Sequence, residues 1–257
     1  MKKPWDRLLQ GYSLLMYVFL YAPILIMVIF SFNDSKLLAV WRGFSLRWYE
    51  ALIADPTVWK AFYNSIWVAS LTTVISVVLG TMTAFVMIRY GFRGKSILDS
   101  ALYFPVVVPE ITEALSLLLF YVFTGIPLGA LTVAIGHIAF SISYATIVIR
   151  ARLVGFDRSV EEAAQSLGAN EVRTFFHVTL PLILPGVIAG GLLAFTVSYD
   201  DFVKTAFTAG PGFQSLPLKI YTMASRGGVS PLLNALATVT LIVSLCLALV
   251  RLRLSKN

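Results

Sequence analysis

Charged side chains are scarce in this chain: Asp, Glu, Lys and Arg make up 13% of its 257 residues. A typical soluble domain carries roughly 25% of these residues, so the scarcity excludes an ordinary water-soluble fold. Hydrophobic residues instead make up 58% of the chain, and the mean hydropathy is +0.83. This composition predicts an integral membrane protein.

Cysteine and histidine are nearly absent as well. Cys246 is the single cysteine, so neither a disulfide framework nor a cysteine-rich metal site can form within the chain. His137 and His177 are the only histidines, and neither has an acidic or second histidine partner at metal-ligand spacing. We therefore predict no metal site and no catalytic residue.

Enzyme motifs are incomplete. Residues 91–96 (GFRGKS) resemble the end of a P-loop, but two residues separate the glycines where that motif needs four. Tyr199-Asp200 resembles half of an intramembrane aspartyl protease site, yet the second motif is missing. We therefore predict that the chain is not an enzyme.

Long uncharged intervals follow from the scarcity of charge. They occupy residues 8–33, 61–88, 114–149, 174–199 and 227–250, and each exceeds the roughly 20 residues with which a helix crosses a bilayer. The turn sequence at 125–129 divides the third interval. We predict an all-α polytopic membrane protein, a single domain over residues 1–257, with six transmembrane helices at about 12–33, 61–88, 106–124, 130–150, 182–207 and 231–250.

Lys and Arg are distributed unevenly between the loops. With six spans, both termini and the loops near 89–100 and 150–178 share one side, which carries 13 of the 20 basic residues. Because basic loops stay inside, we expect both termini to be cytoplasmic. This bias and anionic membrane lipid account for the net charge of +7, so nucleic acid is not an expected partner.

A patterned polar segment, residues 157–178, separates two apolar runs; we call it the elbow. Asp157 or Ser159 is placed to cap a short helix there. The first turn of that helix carries Glu161 and Glu162, whose charges suit the positive end of the helix dipole.

The second half of the elbow follows a predicted turn. Gly168 suits a left-handed conformation that ends the first short helix. A second short helical piece over 171–178 leads to Leu180-Pro181, and Pro is well tolerated where the next helix begins. The pattern predicts a helix–turn–helix lying on the cytoplasmic membrane surface.

The elbow resembles the cytoplasmic signature of permeases from ATP-binding-cassette importers. The matching pattern is Glu-Ala-Ala, three residues, Gly, nine residues, an aliphatic residue, one residue and Leu-Pro, with Val178 at the aliphatic position. In that family the segment is a coupling helix that seats in a groove on the ATPase subunit. The resemblance implies an ATPase-coupling role for Glu161, Glu162, Ala163, Ala164, Gly168, Leu180 and Pro181.

Shorter matches resemble permeases of the spermidine/putrescine class and cover nearly the whole chain. They are SFN at 31–33, WY at 48–49, FRGK at 92–95, SYDD at 198–201, LPLKIY at 216–221 and GVSPLLNALAT at 228–238. The resemblance implies a type I importer permease of the MetI-like fold in the bacterial inner membrane. It also implies transport of polyamines by alternating access.

The same resemblance implies several partners. A second permease subunit is expected, and a heteromeric pair is favoured over a homodimer. Two ATP-binding subunits are expected to hold ATP and Mg, so no cofactor is expected in this chain. A periplasmic or lipid-anchored binding protein is expected to deliver substrate, with the turn-rich segment 208–230 as a candidate contact or, equally, a solvated linker.

Four carboxylates near the predicted spans are candidates for a substrate pathway. An ionised group at membrane depth costs about 2.5–3.5 kcal/mol on insertion scales, so such groups usually face a cavity or a partner. Glu110 and Glu113 share one helix face, and Asp200 and Asp201 lie in the outer half of the fifth span. These carboxylates suit an elongated cation such as a polyamine, to which the Tyr199 ring can add about 0.5–2 kcal/mol.

Structural roles are the alternative for the same residues. Glu110 and Glu113 can simply open the third helix, where carboxylates are favourable at the N-terminus. Adjacent Asp200 and Asp201 point about 100° apart on a helix. One of them can therefore face the pathway while the other pairs with Lys204.

Two further functions stay open at this point. The same importer class can carry another small cation, such as an opine or an amino-acid derivative. An ion-gradient-driven secondary carrier is the other alternative, although such carriers commonly have repeated halves and no internal repeat is evident here. The presence or absence of an ATPase partner separates these alternatives.

Overall fold

The computed structural model describes residues 4–35, 40–227 and 230–254. Within these ranges the regular elements are helices, apart from one β-bridge between Asn33 and Phe44. The helices are α1 (Pro4–Ser31), α2 (Arg47–Ala54), α3 (Pro56–Arg89), α4 (Lys95–Val107), α5 (Glu110–Thr124), α6 (Ala130–Val154), α7 (Ser159–Ser166), α8 (Glu171–Thr174), α9 (Leu180–Tyr199), α10 (Val203–Thr208), α11 (Leu216–Gly227) and α12 (Pro231–Leu254), with a π-helical turn (Phe175–Thr179) between α8 and α9.

The predicted all-α class is confirmed, but the count of six spans is not. Four helical runs among the described residues are long and apolar enough to cross a membrane: Leu8–Ser31, Pro56–Arg89, Ala130–Val154 and Glu171–Tyr199. The bent pair α4–α5 adds at most a fifth, and Pro231–Cys246 is a shorter apolar helix. A six-span topology therefore stays a prediction.

The predicted continuous helix over 106–124 is wrong, because the chain bends by 109° between α4 and α5. Pro109 lacks a backbone donor and forces the preceding residue toward extended backbone. Val108 accordingly has φ −72° and ψ 136°. Helix α5 begins at Glu110, so Glu110 and Glu113 lie in its first turn.

The predicted helix over 182–207 also differs from the structure. Helix α9 ends at Tyr199, and the separate six-residue α10 begins at Val203. Asp201 stabilises this break, since its Oδ1 accepts a hydrogen bond from Thr205 N at 2.9 Å. A short acidic side chain that satisfies a free backbone donor favours a new helix start over helix continuation.

Helix α3 begins at Pro56 rather than at residue 61 because its start carries strong local signals. Asp55 Oδ1 accepts hydrogen bonds from Thr57 N at 2.8 Å and Thr57 Oγ1 at 2.7 Å. Pro56 is favourable at the first helical position, because the backbone N–H that it lacks would have no partner within the helix. Partial burial acts to raise the pKa of Asp55. The hydrogen bonds from Thr57 and the charge of Lys219 outweigh that effect and hold the pKa below its ordinary value.

The remaining predicted spans overlap helices of the structure, but α1 begins at Pro4, eight residues before the predicted start at 12. Helix α1 ends at Ser31, two residues before the predicted end at 33, and α6 runs on from the predicted start at 130 to Val154. Helix ends commonly shift by this much because the last turn is held by few hydrogen bonds. The described part of the sixth predicted span lies within α12.

The helices group into two compact units. As far as they are described, the first comprises Met1–Trp59 with Lys219–Val243, and the second comprises Lys60–Leu218 with Ser244–Asn257. All the candidate residues predicted from the sequence lie in the second unit. That both units form one permease domain stays a prediction.

The second unit is held together by close helix crossings at small residues. A Cβ on Gly190 of α9 would lie 3.2 Å from Ile149 Cγ1 and 3.3 Å from Ala145 O, both in α6. A Cβ on Gly80 of α3 would lie 3.0 Å from Ala145 Cβ. Small residues let membrane helices approach closely and gain dispersion contacts. Helices α3, α6 and α9 therefore form one tightly packed core.

Candidate functional site

The first helix of the elbow, α7, has Arg158 at its N-cap with no side-chain cap hydrogen bond, so the predicted capping by Asp157 or Ser159 is wrong. Asp157 Oδ1 accepts a hydrogen bond from Ser159 N at 2.9 Å, at the start of α7. This bond, together with one from the Ser159 hydroxyl, lowers the pKa of Asp157. Asp157 therefore stabilises the turn that leads into α7 rather than capping the helix.

The turn of the elbow has its predicted form. Gly168 has φ +93°, a left-handed conformation that residues with a Cβ rarely adopt. Asn170 then caps α8, since its Oδ1 accepts a hydrogen bond from Arg173 N at 2.8 Å. The two halves of the elbow are thus separate helices joined by a sharp turn.

The second half of the elbow is the beginning of a membrane-spanning run. Helix α8, the π-helical turn and α9 form one continuous helical stretch, Glu171–Tyr199. The π-helical turn occupies Phe175–Thr179 and was not predicted. Such turns are rare in proteins, and those that occur often lie at functional sites. The second half of the elbow is therefore continuous with the base of α9.

Glu161 and Glu162 have different environments although they are neighbours. Glu161 is buried, with 8% of its surface exposed, whereas Glu162 is exposed. The Glu161 carboxylate pairs with the guanidinium of Arg89 at the end of α3 and accepts a hydrogen bond from the Thr179 hydroxyl. Glu161 therefore ties the elbow to α3 and to the start of α9. The sequence did not identify Arg89 or Thr179, which lie 72 and 18 residues away.

The elbow presents its remaining candidate residues differently. Ala163 and Pro181 are exposed, whereas Ala164 and Leu180 are half-buried. Large apolar side chains are exposed along the elbow as well: Leu167 at 90%, Val172 at 64% and Phe176 at 57%. An open pocket of about 410 Å³ lies between α3, α7, α8 and the π-helical turn. The elbow thus combines an exposed apolar surface with a buried ionic anchor.

A second group of residues lies at the junction of α5 and α10; we call Glu110, Glu113, Asp201 and Lys204 the carboxylate–lysine cluster. The Lys204 side chain is 5% exposed. Its Nζ donates a hydrogen bond to Glu110 Oε1 at 2.8 Å and lies 3.4 Å from Glu113 Oε2. Asp201 Oδ2 lies 3.7 Å from the same nitrogen. One buried ammonium therefore faces three carboxylates.

The sequence predicted part of this cluster. The shared helix face of Glu110 and Glu113 is confirmed, since both reach Lys204. The pairing of Lys204 with one of the two adjacent aspartates is also confirmed, and the partner is Asp201. The approach of α5 to α10, which connects residues 94 positions apart, was not predicted.

His137 of α6 extends the cluster on its buried side. Its Nε2 lies 3.3 Å from Asp201 Oδ1 and 3.1 Å from Thr205 Oγ1, and its Nδ1 lies 2.8 Å from Ser198 Oγ. Sequence spacing predicts no acidic partner for His137, and this prediction is wrong because Asp201, in the break after α9, supplies one. Within the described ranges, no three His, Cys, Asp or Glu side chains are arranged to hold a metal ion.

Asp200 is separated from Asp201 by the break, although the two are adjacent in sequence. Asp200 is exposed, and its Oδ1 accepts a hydrogen bond from Ser244 Oγ at 2.9 Å. Tyr199 is buried and stacks on Phe195, with ring centroids 6.0 Å apart. The two aspartates therefore have different surroundings, because Asp201 lies beyond the end of α9 and not on one helix with Asp200 as the 100° divergence assumed.

An open pocket of about 270 Å³ adjoins the carboxylate–lysine cluster. Glu113 and Lys204 line it together with mostly apolar side chains from α4, α5 and α6, including Phe104, Leu117 and Phe140. Among the described residues, Glu113 Oε1 has no hydrogen-bond partner. The pocket is therefore lined by Glu113, whose buried Oε1 has unused hydrogen-bonding capacity.

Comparison with known proteins places this geometry in context. Residues 76–256 match the family described as binding-protein-dependent transport system inner membrane component. The chain is 42% identical over 247 residues to the putrescine transport system permease protein PotI of Escherichia coli, covering 93% of this chain and 86% of that protein. It is 39% identical over 238 residues to the spermidine/putrescine transport system permease protein PotC of Haemophilus influenzae, covering 93% and 92% respectively.

Solved structures share the fold at low sequence identity. A subunit of a bacterial ABC transporter that imports the acidic polysaccharide alginate superposes with a TM-score of 0.76 at 15% identity, covering 98% of this chain and 96% of that one. A chain of the MetNI methionine ABC transporter superposes with a TM-score of 0.61 at 15% identity, covering 79% and 97%. These likenesses concern the fold alone.

Proposed function

This chain belongs to the family of inner membrane components of binding-protein-dependent transport systems, and from that premise we propose that it is the permease subunit of an ATP-driven polyamine importer. It is a multi-pass inner membrane protein and not an enzyme. The observation that carries the substrate class is the near-full-length similarity to two permeases named for putrescine and spermidine. The carboxylates at the start of α5 and in the break between α9 and α10 supply the matching charge.

The elbow is the proposed docking site for an ATP-binding subunit. Its exposed side chains, including Glu162, Leu167 and Val172, offer both charge and apolar area to a partner. ATP and Mg are bound by that partner, and two copies are expected in the assembly. Since 13 of the 20 basic residues fall on the elbow's side of a six-span topology, we place the elbow and both termini in the cytoplasm.

Transmission from the elbow uses its buried anchor. In the proposed mechanism, closure of the ATP-binding subunits displaces α7, and Glu161 passes this displacement to Arg89 of α3 and Thr179 at the base of α9. The spans then alternate between inward-facing and outward-facing arrangements. ATP hydrolysis in the partner subunits resets them.

The remaining partners follow from the family. A second permease subunit is proposed to complete the pathway, with a heteromeric pair favoured by the similarity to the polyamine permeases. A periplasmic or lipid-anchored binding protein is proposed to deliver substrate, and segment 208–230 is a candidate contact. Glu110, Glu113, Asp200, Asp201 and Tyr199 are the proposed pathway residues.

Copurification and uptake measurements test this function directly. The chain is purified from its native membrane, and associated subunits are identified by mass spectrometry. We expect an ATP-hydrolysing subunit to copurify and radiolabelled putrescine or spermidine uptake into vesicles to require ATP. Uptake that proceeds on an ion gradient without ATP supports a secondary carrier instead. ATP-dependent uptake of an opine but not of polyamines leaves the importer class intact and corrects the substrate.

Substitution of the two adjacent aspartates is expected to separate transport from assembly. Asp200→Asn removes a negative charge that is proposed to bind a substrate ammonium. Because a hydrogen bond to a charged group contributes about 1.5–3 kcal/mol, we expect uptake to fall about tenfold or more while the complex still assembles. Asp201→Asn weakens the contacts of this buried residue with Lys204 and His137. Lys204 keeps two other carboxylates, so we expect a cost of about 1.5–3 kcal/mol and a lower yield of complex. Uptake and complex yield are measured side by side.

Ser244→Ala provides the control for Asp200→Asn. It removes the hydrogen bond at Asp200 Oδ1 but leaves the carboxylate in place. We expect this variant to retain most uptake, since the negative charge persists. Full uptake by Asp200→Asn would exclude that carboxylate from the pathway.

A further inference from the structure

The Lys204 ammonium occupies surroundings that suit any primary alkylammonium. Three carboxylates, from Glu110, Glu113 and Asp201, lie 2.8–3.7 Å from its Nζ. The same nitrogen lies 4.0 Å from the centroid of the Phe140 ring. Charge-assisted hydrogen bonds and an aromatic face are the two interactions by which proteins recognise alkylammonium ions. The protein's own side chain thus fills an ammonium site.

This site carries more negative charge than Lys204 alone neutralises. Three carboxylates face one ammonium, and His137 is the further titratable group in contact, on the far side of Asp201. Glu113 Oε1 is buried and has no hydrogen-bond partner among the described residues. A second cation can therefore be attracted while Lys204 is still bound.

Access to the site is also present. Lys204 and Glu113 both line the open pocket of about 270 Å³, whose other walls are mainly apolar. Apolar walls suit the methylene segments of an alkylamine, and its terminal ammonium can reach Glu113 from the pocket. Lys204 itself lies on the short α10, directly after the break that follows α9. Its attachment is a six-residue helix rather than the middle of a span.

From this geometry we propose that Lys204 is a tethered stand-in for the substrate: its ammonium holds the three carboxylates between transport events, and a substrate ammonium displaces it. The proposal rests on the proposed import of polyamines. A side chain that occupies a site part of the time weakens the apparent affinity of any competing ligand in proportion. Lys204 therefore keeps substrate binding in the pathway weak enough for release.

Chemical rescue with a simple amine tests the site. Lys204→Ala deletes the atoms beyond Cβ, and n-propylamine has the chain length that replaces them. In the purified complex carrying Lys204→Ala, n-propylamine at about 10 mM is expected to raise the unfolding temperature by about 3 °C. The uncharged isostere 1-propanol is expected to have no effect. The wild-type complex, in which the Lys204 ammonium competes for the site, is expected to respond to n-propylamine more weakly than the variant does.

Lys219→Ala is the matched control. Lys219 also loses a lysine stem in this substitution, but its Nζ donates to Thr57 Oγ1 at an exposed site outside the cluster. A response to n-propylamine no larger than that of the wild-type complex is expected there. An equal response of Lys204→Ala to amine and alcohol, or no response to either, overturns the proposal.

Poor assembly of Lys204→Ala does not remove the test. Membranes are then solubilised in detergent that contains either n-propylamine or 1-propanol, and the yields of assembled complex are compared. A yield at least threefold higher with the amine supports the proposal, and equal yields overturn it. Rescue without polyamine uptake by the wild type contradicts only the proposed substrate, whereas polyamine uptake without rescue contradicts only the role of Lys204.

Discussion

Replacing Gly168 with Asp is expected to uncouple ATP hydrolysis from uptake while the spans stay inserted. Gly168 has φ +93°, and the left-handed conformation costs a residue with a Cβ about 1–2 kcal/mol. The added carboxylate also places a negative charge on the exposed turn of the elbow. In proteoliposomes, we expect uptake to fall at least tenfold while ATPase activity persists.

A second glycine provides the matched control. Gly94 has φ +91° at the start of α4, and like Gly168 it has open space where a Cβ would lie. Gly94→Asp therefore introduces the same strain and charge outside the elbow, and we expect coupled uptake to survive. Coupled uptake by Gly168→Asp at the wild-type rate would contradict the docking role of the elbow.

Breaking the buried pair between Glu161 and Arg89 is expected to abolish coupling as well, by a different route. Both side chains are largely buried, with exposed fractions of 11% and 12%. Glu161→Gln leaves the Arg89 charge without a full partner, and breaking a buried pair typically costs about 3–5 kcal/mol. We expect the amount of substrate imported per ATP hydrolysed to fall at least fivefold, measured in proteoliposomes.

Charge reversal distinguishes transmission from simple stability. The double variant Glu161→Arg with Arg89→Glu restores an ion pair in the opposite sense and is expected to recover part of the coupling ratio. Glu162→Gln changes the exposed neighbour instead, and should weaken binding of the ATP-binding subunit without lowering the coupling ratio once that subunit is bound. An unchanged coupling ratio in Glu161→Gln would show that the pair only stabilises the fold.

The elbow was predictable because its signals are local. Asp157, Gly168 and Pro181 each act on backbone within four residues of themselves, through a hydrogen bond, a φ angle or a missing donor. Hydrophobicity likewise locates apolar runs, since it depends on composition alone. These features therefore appear in the sequence at nearly their structural positions.

The helix breaks were only partly predictable. Pro109 was recognised as a disturbance, but composition gives no reason to end α4 at Val107 rather than to continue through a kink. The break after Tyr199 is stabilised by the hydrogen bond that Asp201 accepts from Thr205 N. The sequence alone does not show that this bond forms in place of a continuous helix. Both breaks lie beside the carboxylates, so the positions of the candidate site residues were the part of the fold that the sequence predicted least well.

Long-range contacts were not predictable from spacing. Lys204 lies 94 residues from Glu110, and Arg89 lies 72 residues from Glu161. The local spacing of residues does not predict which turn of one helix contacts which turn of another. Glu161 and Glu162 are chemically identical and point in different directions from α7, but only the structure shows which of them meets Arg89.

The close crossings at Gly80 and Gly190 limit how α3, α6 and α9 can move. A Cβ at either glycine would lie only 3.0–3.3 Å from atoms of α6, so the three helices have little room to slide past one another. A movement that starts at the elbow is therefore expected to tilt them together. Over the 20 residues of α9, roughly 30 Å of helix, a tilt of a few degrees begun at Thr179 sweeps the Tyr199 end sideways by an ångström or more, which is on the scale of the contacts around Lys204.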